Sequence, residues 1–353
     1  MSAPLGFAIV GCGTIARFHV RALAEIPTAR LVALVGRALD APNRLVSEMG
    51  LTNVSVHANL ADALQQPDVD AVIICTPSGD HLTPAIQAAE AGKHVVIEKP
   101  LEITPERCGR IIAACHRAGV QLCTIFPSRF ADAIVALKAA VTDGRFGRLT
   151  LGETTCKWWR NQDYYESGSW RGTRALDGGG ALMNQGIHNI DLLLWLMGPA
   201  TQVTGATATL AHEHIEVEDT AVATVNFANG ALGTIIATTS AYPGLAKTIA
   251  IHGDRGSAVV EQERVTAWQF ADELPDDASI RDNSVRNSGP SGGAADPKAI
   301  SHEGHTRQLR DFVEAVRMGR KPAVDGHEGR KAVQLVCAIY EAARTGRSVT
   351  LPA

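Results

Sequence analysis

Across about the first 125 residues, short β-branched runs alternate with helical stretches: FAIV precedes TIARFHVRALAEI, LVALV precedes APNRLVSEM, AVIIC precedes HLTPAIQAAEAG, HVVIE precedes PERCGRIIAACHRAG, and QLCTI follows. A strand that reaches its neighbour through a helix must run parallel to it, because the right-handed crossover lays that helix over one face of the sheet. The alternation therefore predicts a doubly wound parallel sheet covered on both faces. After a connecting helix, ADAIVALKAAVTDG, the texture changes to QVTGATATL, TAVATVNFA and ALGTIIATT. The last two flank Asn229-Gly230, a strong hairpin signal, so the second half is expected to hold antiparallel sheet, with further strands at KTIAIHG and SAVVEQ. The segment from Leu274 to Ile300, rich in Asp, Ser, Gly, Asn and Pro, is expected to be a long, lid-like surface loop. Two helices, GHTRQLRDFVEAVRMG and HEGRKAVQLVCAIYEAARTG, close the chain. At 353 residues the chain exceeds what one core organises, which predicts two domains, 1–127 and 128–353.

Several classes of function are excluded by composition. The net charge of -4, with no Lys/Arg run, offers no field for nucleic acid or an anionic membrane. Seven cysteines are odd in number and scattered, with no zinc or redox spacing, so they are expected to be small core residues in a reducing compartment, and no metal site is expected. The N-terminus MSAPLGFAIVGCG lacks a charged leader, and no apolar run approaches the roughly 20 residues of a membrane span. The expected location is cytoplasmic.

The first βα turn reads GCGTIA. Gly11 permits a tight turn, Gly13 lets the backbone approach a pyrophosphate, and small Ala16 lets helix and strand pack closely. Thr14 and Ile15 open the helix whose free N–H groups and dipole favour phosphate. The second strand ends in Gly36-Arg37, where an NAD enzyme usually presents an acid to the ribose. A glycine and a cation suit a 2′-phosphate, so NADP is favoured, with NAD as the alternative if Arg37 is a solvated residue stacking on adenine.

Two further stretches carry chemistry. CTPSGDHLTPAIQAAEAGKHVVIEKP ends in Glu98-Lys99-Pro100, placing a lysine at the carboxyl end of a parallel strand, where open α/β sheets bind ligands; Pro100 is a candidate cis residue. GGGALMNQGIHNIDLLLWLMG begins with three glycines that are expected to let backbone approach cofactor and substrate. At about 100° per residue, Met183, Ile187, Ile190, Leu194 and Met197 form a core stripe, and Asn184, His188, Asp191 and Trp195 form a polar one beside it. The polar stripe is either a satisfied buried network or the lining of a cleft between the domains.

These segments, with WRGTRALDGGGALMNQGIHNIDLL and the closing pattern from GHTRQLRDFVEAV to TGRSVTLP, resemble the glucose-fructose oxidoreductase and inositol dehydrogenase family (Gfo/Idh/MocA) over essentially the whole chain. The resemblance implies an N-terminal Rossmann domain and a C-terminal α/β domain with an open, mainly antiparallel sheet that serves oligomer contacts, in a homodimer or homotetramer. It implies NAD(P)-dependent hydride transfer at a secondary alcohol of a sugar or cyclitol. Lys99 and His188 match the family's catalytic pair, with His188 as general base and Lys99 on the same oxygen. The family commonly has Asp where this chain has Asn184; an amide only orients partners, and Asp191 either supplies the missing acid or braces the helix. Thr76, Pro77, His81, Glu98 and Lys99 are expected at the cofactor.

The aromatic stretch KWWRNQDYYESGSWRG stands out in a chain with only 5% aromatic residues. It places Trp170 and Arg171 near cofactor and substrate and leaves most of its other rings to packing, while Arg160, Arg171 or Arg174 is suited to a carboxylate or phosphate. Arg129 and His305 complete the substrate candidates, each with a salt-bridge or capping role as the alternative. Two other readings stand beside the sugar oxidoreductase: a dinucleotide-dependent sensor, and a reductase of a C=N or conjugated bond.

Overall fold

The computed structural model describes residues 3–286 and 301–352. Six strands, β1 (Leu5–Val10), β2 (Ala29–Val35), β3 (Ser55–His57), β4 (Ala71–Ile74), β5 (His94–Ile97) and β6 (Leu122–Thr124), pair in parallel in the order β3-β2-β1-β4-β5-β6. Helices cover both faces, so the central strands bury nearly every side chain; Ile9, Leu34, Ile73 and Val96 are all 0% exposed. The strand order reverses between β1 and β4, which makes the carboxyl edge there the ligand-binding crevice of such a sheet. Gly11 follows β1 at that edge, Thr76 follows β4, and Lys99 follows β5.

The chain divides into two compact units, Met1–Pro127 with Ser301–Arg330, and Ser128–Ile300 with Lys331–Ala353. The sequence drew one boundary at 127 and expected 301–330 in the second domain, whereas 301–330 belongs to the first unit. The reason is the helix Glu303–Met318: its apolar side, Leu309, Phe312 and Val313, joins the core of Phe7, Ile9, Leu23 and Leu34. On the same helix, fully buried Gln308 accepts from the Phe126 amide at 2.9 Å and donates to the Thr124 carbonyl at 2.8 Å, finishing the open edge of β6.

The second unit is an eight-stranded sheet of β7 (Leu149–Lys157), β8 (Ala200–Ala208), β9 (Thr220–Phe227), β10 (Leu232–Thr238), β11 (Thr248–Gly253), β12 (Gly256–Glu261), β13 (Arg264–Phe270) and β14 (Val349–Thr350). Its order is β13-β12-β11-β7-β10-β9-β8-β14, and every pair except β7 with β10 is antiparallel. The hairpin predicted at Asn229-Gly230 joins β9 to β10, with Gly230 at a φ of 86°. The central strand β7 carries no strong sequence signal, and its Gly152 shows why one was traded away. A Cβ there would lie 2.6 Å from Met197 Cγ and 2.9 Å from Leu193 Cδ1, so glycine lets the helix Ile187–Met197 lie on the sheet. Asn189 fixes that helix by donating to Thr154 Oγ1 and the Thr248 carbonyl at 2.8 and 2.9 Å.

The loop expected from 274 begins instead with a helix, Asp277–Arg286; residues 287–300 of that loop lie outside those described. Asp277 anchors the helix start by accepting from both Arg145 terminal nitrogens, the Trp268 indole and the Leu274 amide. Among the described residues, no helix is long and apolar enough to cross a membrane.

Because Phe312 is fully buried against Phe7, with ring centroids 6.2 Å apart, Phe312→Ala should lower unfolding stability by about 3–5 kcal/mol, read from urea denaturation followed by far-UV circular dichroism.

Candidate active site

Gly11 adopts a φ of 90°, and a Cβ there would meet the Cys75 carbonyl and the Thr76 amide at 2.7 to 2.8 Å. Only glycine makes this turn while β1 and β4 close on each other. Gly13 has the opposite surroundings: nothing lies within 4 Å of where its Cβ would be. It is the N-cap of the helix Thr14–Ala24, with no side chain capping the helix, and Ala16 is fully buried beneath it. An open, uncapped helix N-terminus over exposed Gly13 and Thr14 is a cradle for pyrophosphate, and the residues fit a dinucleotide there.

Lys99 is half-buried and is joined to Pro100 by a cis peptide, as the sequence suggested. Its backbone N–H donates to Glu98 Oε2 at 3.1 Å. Glu98 also faces His19 Nε2 at 2.8 Å and His305 Nε2 at 3.6 Å. All three side chains are buried. Burial pushes the Glu98 carboxyl up, but the two imidazole donors outweigh it and hold its pKa well below the ordinary value near 4.5. Glu98 and His305, expected at cofactor and substrate, thus form with His19 a buried network under Lys99. The three lie close enough to hold an ion, yet the short His19 contact and the backbone donor already use the carboxylate as a hydrogen-bond acceptor. His81 is likewise internal: its ring nitrogens meet the Pro100 and Thr76 carbonyls at 2.9 and 3.0 Å, clamping the Lys99 loop to the turn after β4.

In the second unit the chain before His188 is not an α-helix. Ala181–Gly186 forms a π-helical turn, which passes into the helix Ile187–Met197 with His188 in its first turn. The stripe derived from regular periodicity holds in part: Asn184, His188 and Trp195 are half-buried, but so is Leu194, whereas Asp191 is buried. Asp191 accepts from Arg129 Nε and Nη2 at 2.8 and 2.7 Å, and the guanidinium lies 5.0 Å from the Trp195 ring centre. Arg129, expected at the substrate, is therefore committed to Asp191, and Asp191 to bracing the helix.

An acid does stand beside Asn184. Asp177, 2% exposed, accepts from the Asn184 amide nitrogen and from the Gly172 amide. Asn184 Oδ1 accepts from Gln185 Nε2, which also donates to Tyr164 Oη, and Arg171 Nη1 donates to the same hydroxyl at 2.6 Å. Arg171 lies 4.2 and 4.5 Å from the ring centres of Tyr164 and Trp170. Of the other two arginines weighed for a carboxylate, Arg160 is buried against Trp158 and Tyr164, and exposed Arg174 donates to the Glu216 carbonyl.

Two of the three glycines have a purpose within the protein itself. Gly179 and Gly180 are where a Cβ would collide with Tyr340 Oη and the Glu218 carbonyl. Buried Glu218 accepts from the Gly180 and Leu182 amides at 3.0 and 2.8 Å and from Tyr340 Oη at 2.9 Å, latching the start of the π-helical turn. Burial raises the Glu218 pKa against the pull of those amides. The glycines make room for this latch. Asp177, Glu218, Tyr340 and His19 escape sequence reasoning, although Asp177 directly precedes the glycines and was within reach of it.

Known proteins align with both units. A family model described as an oxidoreductase family with an NAD-binding Rossmann fold matches residues 5–126, and a GFO/IDH/MocA C-terminal domain model matches residues 134–259. The WlbA dehydrogenase of Bordetella pertussis, solved in complex with NADH and UDP-GlcNAcA, is 36% identical with a TM-score of 0.91, covering 100% of this chain and 99% of that one. WlbA of Chromobacterium violaceum, solved with the same two molecules, is 36% identical with a TM-score of 0.89, covering 100% and 97%. The myo-inositol 2-dehydrogenase of Thermotoga maritima is 27% identical over 358 residues, 97% of each chain.

The Glu98 network has a pH signature. A depressed acid contributes stability that is complete above its unfolded pKa, near 4.5, and drains away as pH falls toward the lower folded value. Glu98→Gln should cost about 2 kcal/mol at pH 7, and the gap from wild type should narrow toward pH 3 in urea titrations.

Proposed function

The chain belongs to the GFO/IDH/MocA family of oxidoreductases with an NAD-binding Rossmann fold, and from that premise we propose that it is an NAD(H)-dependent dehydrogenase of a secondary alcohol on a UDP-linked sugar acid. The observation that carries the substrate class is likeness at 36% identity over the full chain to two proteins solved with NADH and UDP-GlcNAcA. Arg171 supports it: held over two aromatic rings and bonded to Tyr164, it is a pre-ordered cation for a carboxylate. The NADP preference expected from Arg37 is set aside, because its guanidinium already faces the carboxylate of Asp80 at 2.7 Å.

When bound, NAD⁺ supplies the hydride acceptor. Gly13 and the helix behind it hold the pyrophosphate. Lys99 donates a hydrogen bond to the reacting hydroxyl oxygen and stabilises the negative charge that develops there. His188 takes the hydroxyl proton, a step worth about 10²- to 10⁴-fold in rate. Asn184 turns its carbonyl away from Asp177 and so presents an acceptor, to orient either the imidazole or a substrate hydroxyl.

NADH appearance, followed by absorbance with UDP-GlcNAcA, free glucuronic acid and myo-inositol as separate substrates, tests the reading. UDP-GlcNAcA should give the highest kcat/KM, and Lys99→Met and His188→Ala should each lower kcat by about 100-fold or more with the fold intact. Turnover of myo-inositol in preference to the nucleotide sugar would defeat the substrate class; full activity in either variant would defeat the mechanism.

A further inference from the structure

In a dinucleotide-binding Rossmann domain the end of β2 commonly presents an acidic side chain to the adenosine ribose, and that acid discriminates against a 2′-phosphate. Here that place holds Gly36 and Arg37. A side chain at Gly36 is sterically resisted, since its Cβ would sit 3.0 Å from Pro42 Cδ and 3.3 Å from the Ala38 carbonyl oxygen. If this chain sets an acid against the ribose, the acid has to come from another strand.

One does reach the end of β2. From the turn Ser78–Asp80 after β4, Asp80 Oδ2 accepts from Arg37 Nη2 at 2.7 Å. The Arg37 side chain is 87% exposed and that of Asp80 37%, so the pair adds little to folding. The turn beneath it, however, is braced from several sides. Asp80 N donates to the Pro77 carbonyl at 2.8 Å, Thr76 Oγ1 donates to the Asp80 carbonyl at 3.2 Å, and Arg107 Nη2 donates to the Gly79 carbonyl at 2.7 Å. Buried His81 ties the next residue to Thr76 and Pro100. A solvent-facing carboxylate on so rigid a support, at the carboxyl edge beside the switch point, is placed to act on a ligand.

We propose that Asp80 is the cofactor-specificity residue of this chain: its carboxylate takes over the part of the missing β2 acid, neutralising Arg37 and repelling a 2′-phosphate, so that NAD(H) is bound in preference to NADP(H). This rests on the NAD(H) reading above but not on the identity of the sugar. The charge balance explains the sign. Arg37 alone would attract a phosphate carrying nearly two negative charges, whereas the Arg37–Asp80 pair is neutral as a whole and turns an anion toward the ribose.

Nucleotide binding alone tests the assignment, with no sugar present. Wild type, Asp80→Ser, the isosteric Asp80→Asn, and Asp80→Ser combined with Arg37→Ala are titrated with NADH and with NADPH by nicotinamide fluorescence, and each protein's thermal midpoint is recorded. Wild type should bind NADH more tightly. Both Asp80 variants should gain about tenfold in NADPH affinity with no gain in NADH affinity, and the added Arg37→Ala should erase the NADPH gain. The NADPH affinity gained by Asp80→Ser should fall as salt rises, because the attraction is between exposed charges. An unchanged NADPH-to-NADH ratio in both Asp80 variants, at wild-type thermal midpoints, would overturn the role of Asp80 while leaving NADH binding in place. A wild type that binds neither nucleotide would overturn the cofactor reading and the assignment together.

Discussion

A carboxylate buried in protein must have its acceptor positions filled by N–H or O–H groups, or it takes up a proton and ceases to be a carboxylate. That requirement organises both halves of the chemistry proposed here. Glu98 is filled by His19, His305 and the backbone of Lys99, so the lysine's position is set by a bond it cannot leave without exposing a buried charge. Glu218 is filled by two amides of the turn leading to His188 and by Tyr340. Asp191 is filled by Arg129 from a different element, which holds the remainder of that helix. Each proposed catalytic side chain sits within a few residues of an acid that has no alternative but to hold the local backbone still.

Such bonds also explain which parts of the molecule were legible in the sequence. The parallel sheet, the Gly11 turn and the Asn229-Gly230 hairpin are encoded locally, in residues adjacent along the chain and dictated by backbone sterics. That Lys99 follows a parallel strand and His188 lies on a helix was legible for a related reason, since each element is marked by its own sequence, whereas the roles proposed for them came from the family resemblance. The buried acids are different, because their partners are remote; Glu218 and Tyr340 are 122 positions apart, and Arg129 and Asp191 are 62 apart. No periodicity records such pairings. The same blindness left Tyr340 and Glu218 unseen as the neighbours of Gly179 and Gly180, and left Arg129 open between a substrate contact and the salt bridge it makes.

Local reasoning also fails where geometry is irregular and where a helix must be placed. A stripe drawn at α-helical spacing through Asn184 and His188 crosses a π-helical turn, so the rotation between those residues is not the one assumed. The helix Glu303–Met318 was expected only as an element that closes the chain, and its sequence does not say which sheet its apolar face covers. Placing it needed Gln308, whose amide satisfies both a donor and an acceptor at the edge of β6.

Asn184 shows most directly how chemistry can be preserved while sequence changes. A carboxylate at that position would accept hydrogen bonds only, whereas an amide presents a donor on one side and an acceptor on the other. Asp177 removes the ambiguity, because a carboxylate cannot face an amide oxygen; the Asn184 nitrogen must turn toward it and the oxygen away. The exposed property of the residue is then acceptance, as it would be for an aspartate, with the negative charge set one side chain further back. The turn after β4 shows a similar arrangement, where a glycine stands in the usual place of an acid and a carboxylate arrives from the neighbouring strand. In both places a carboxylate elsewhere in the chain carries the charge that the usual position lacks.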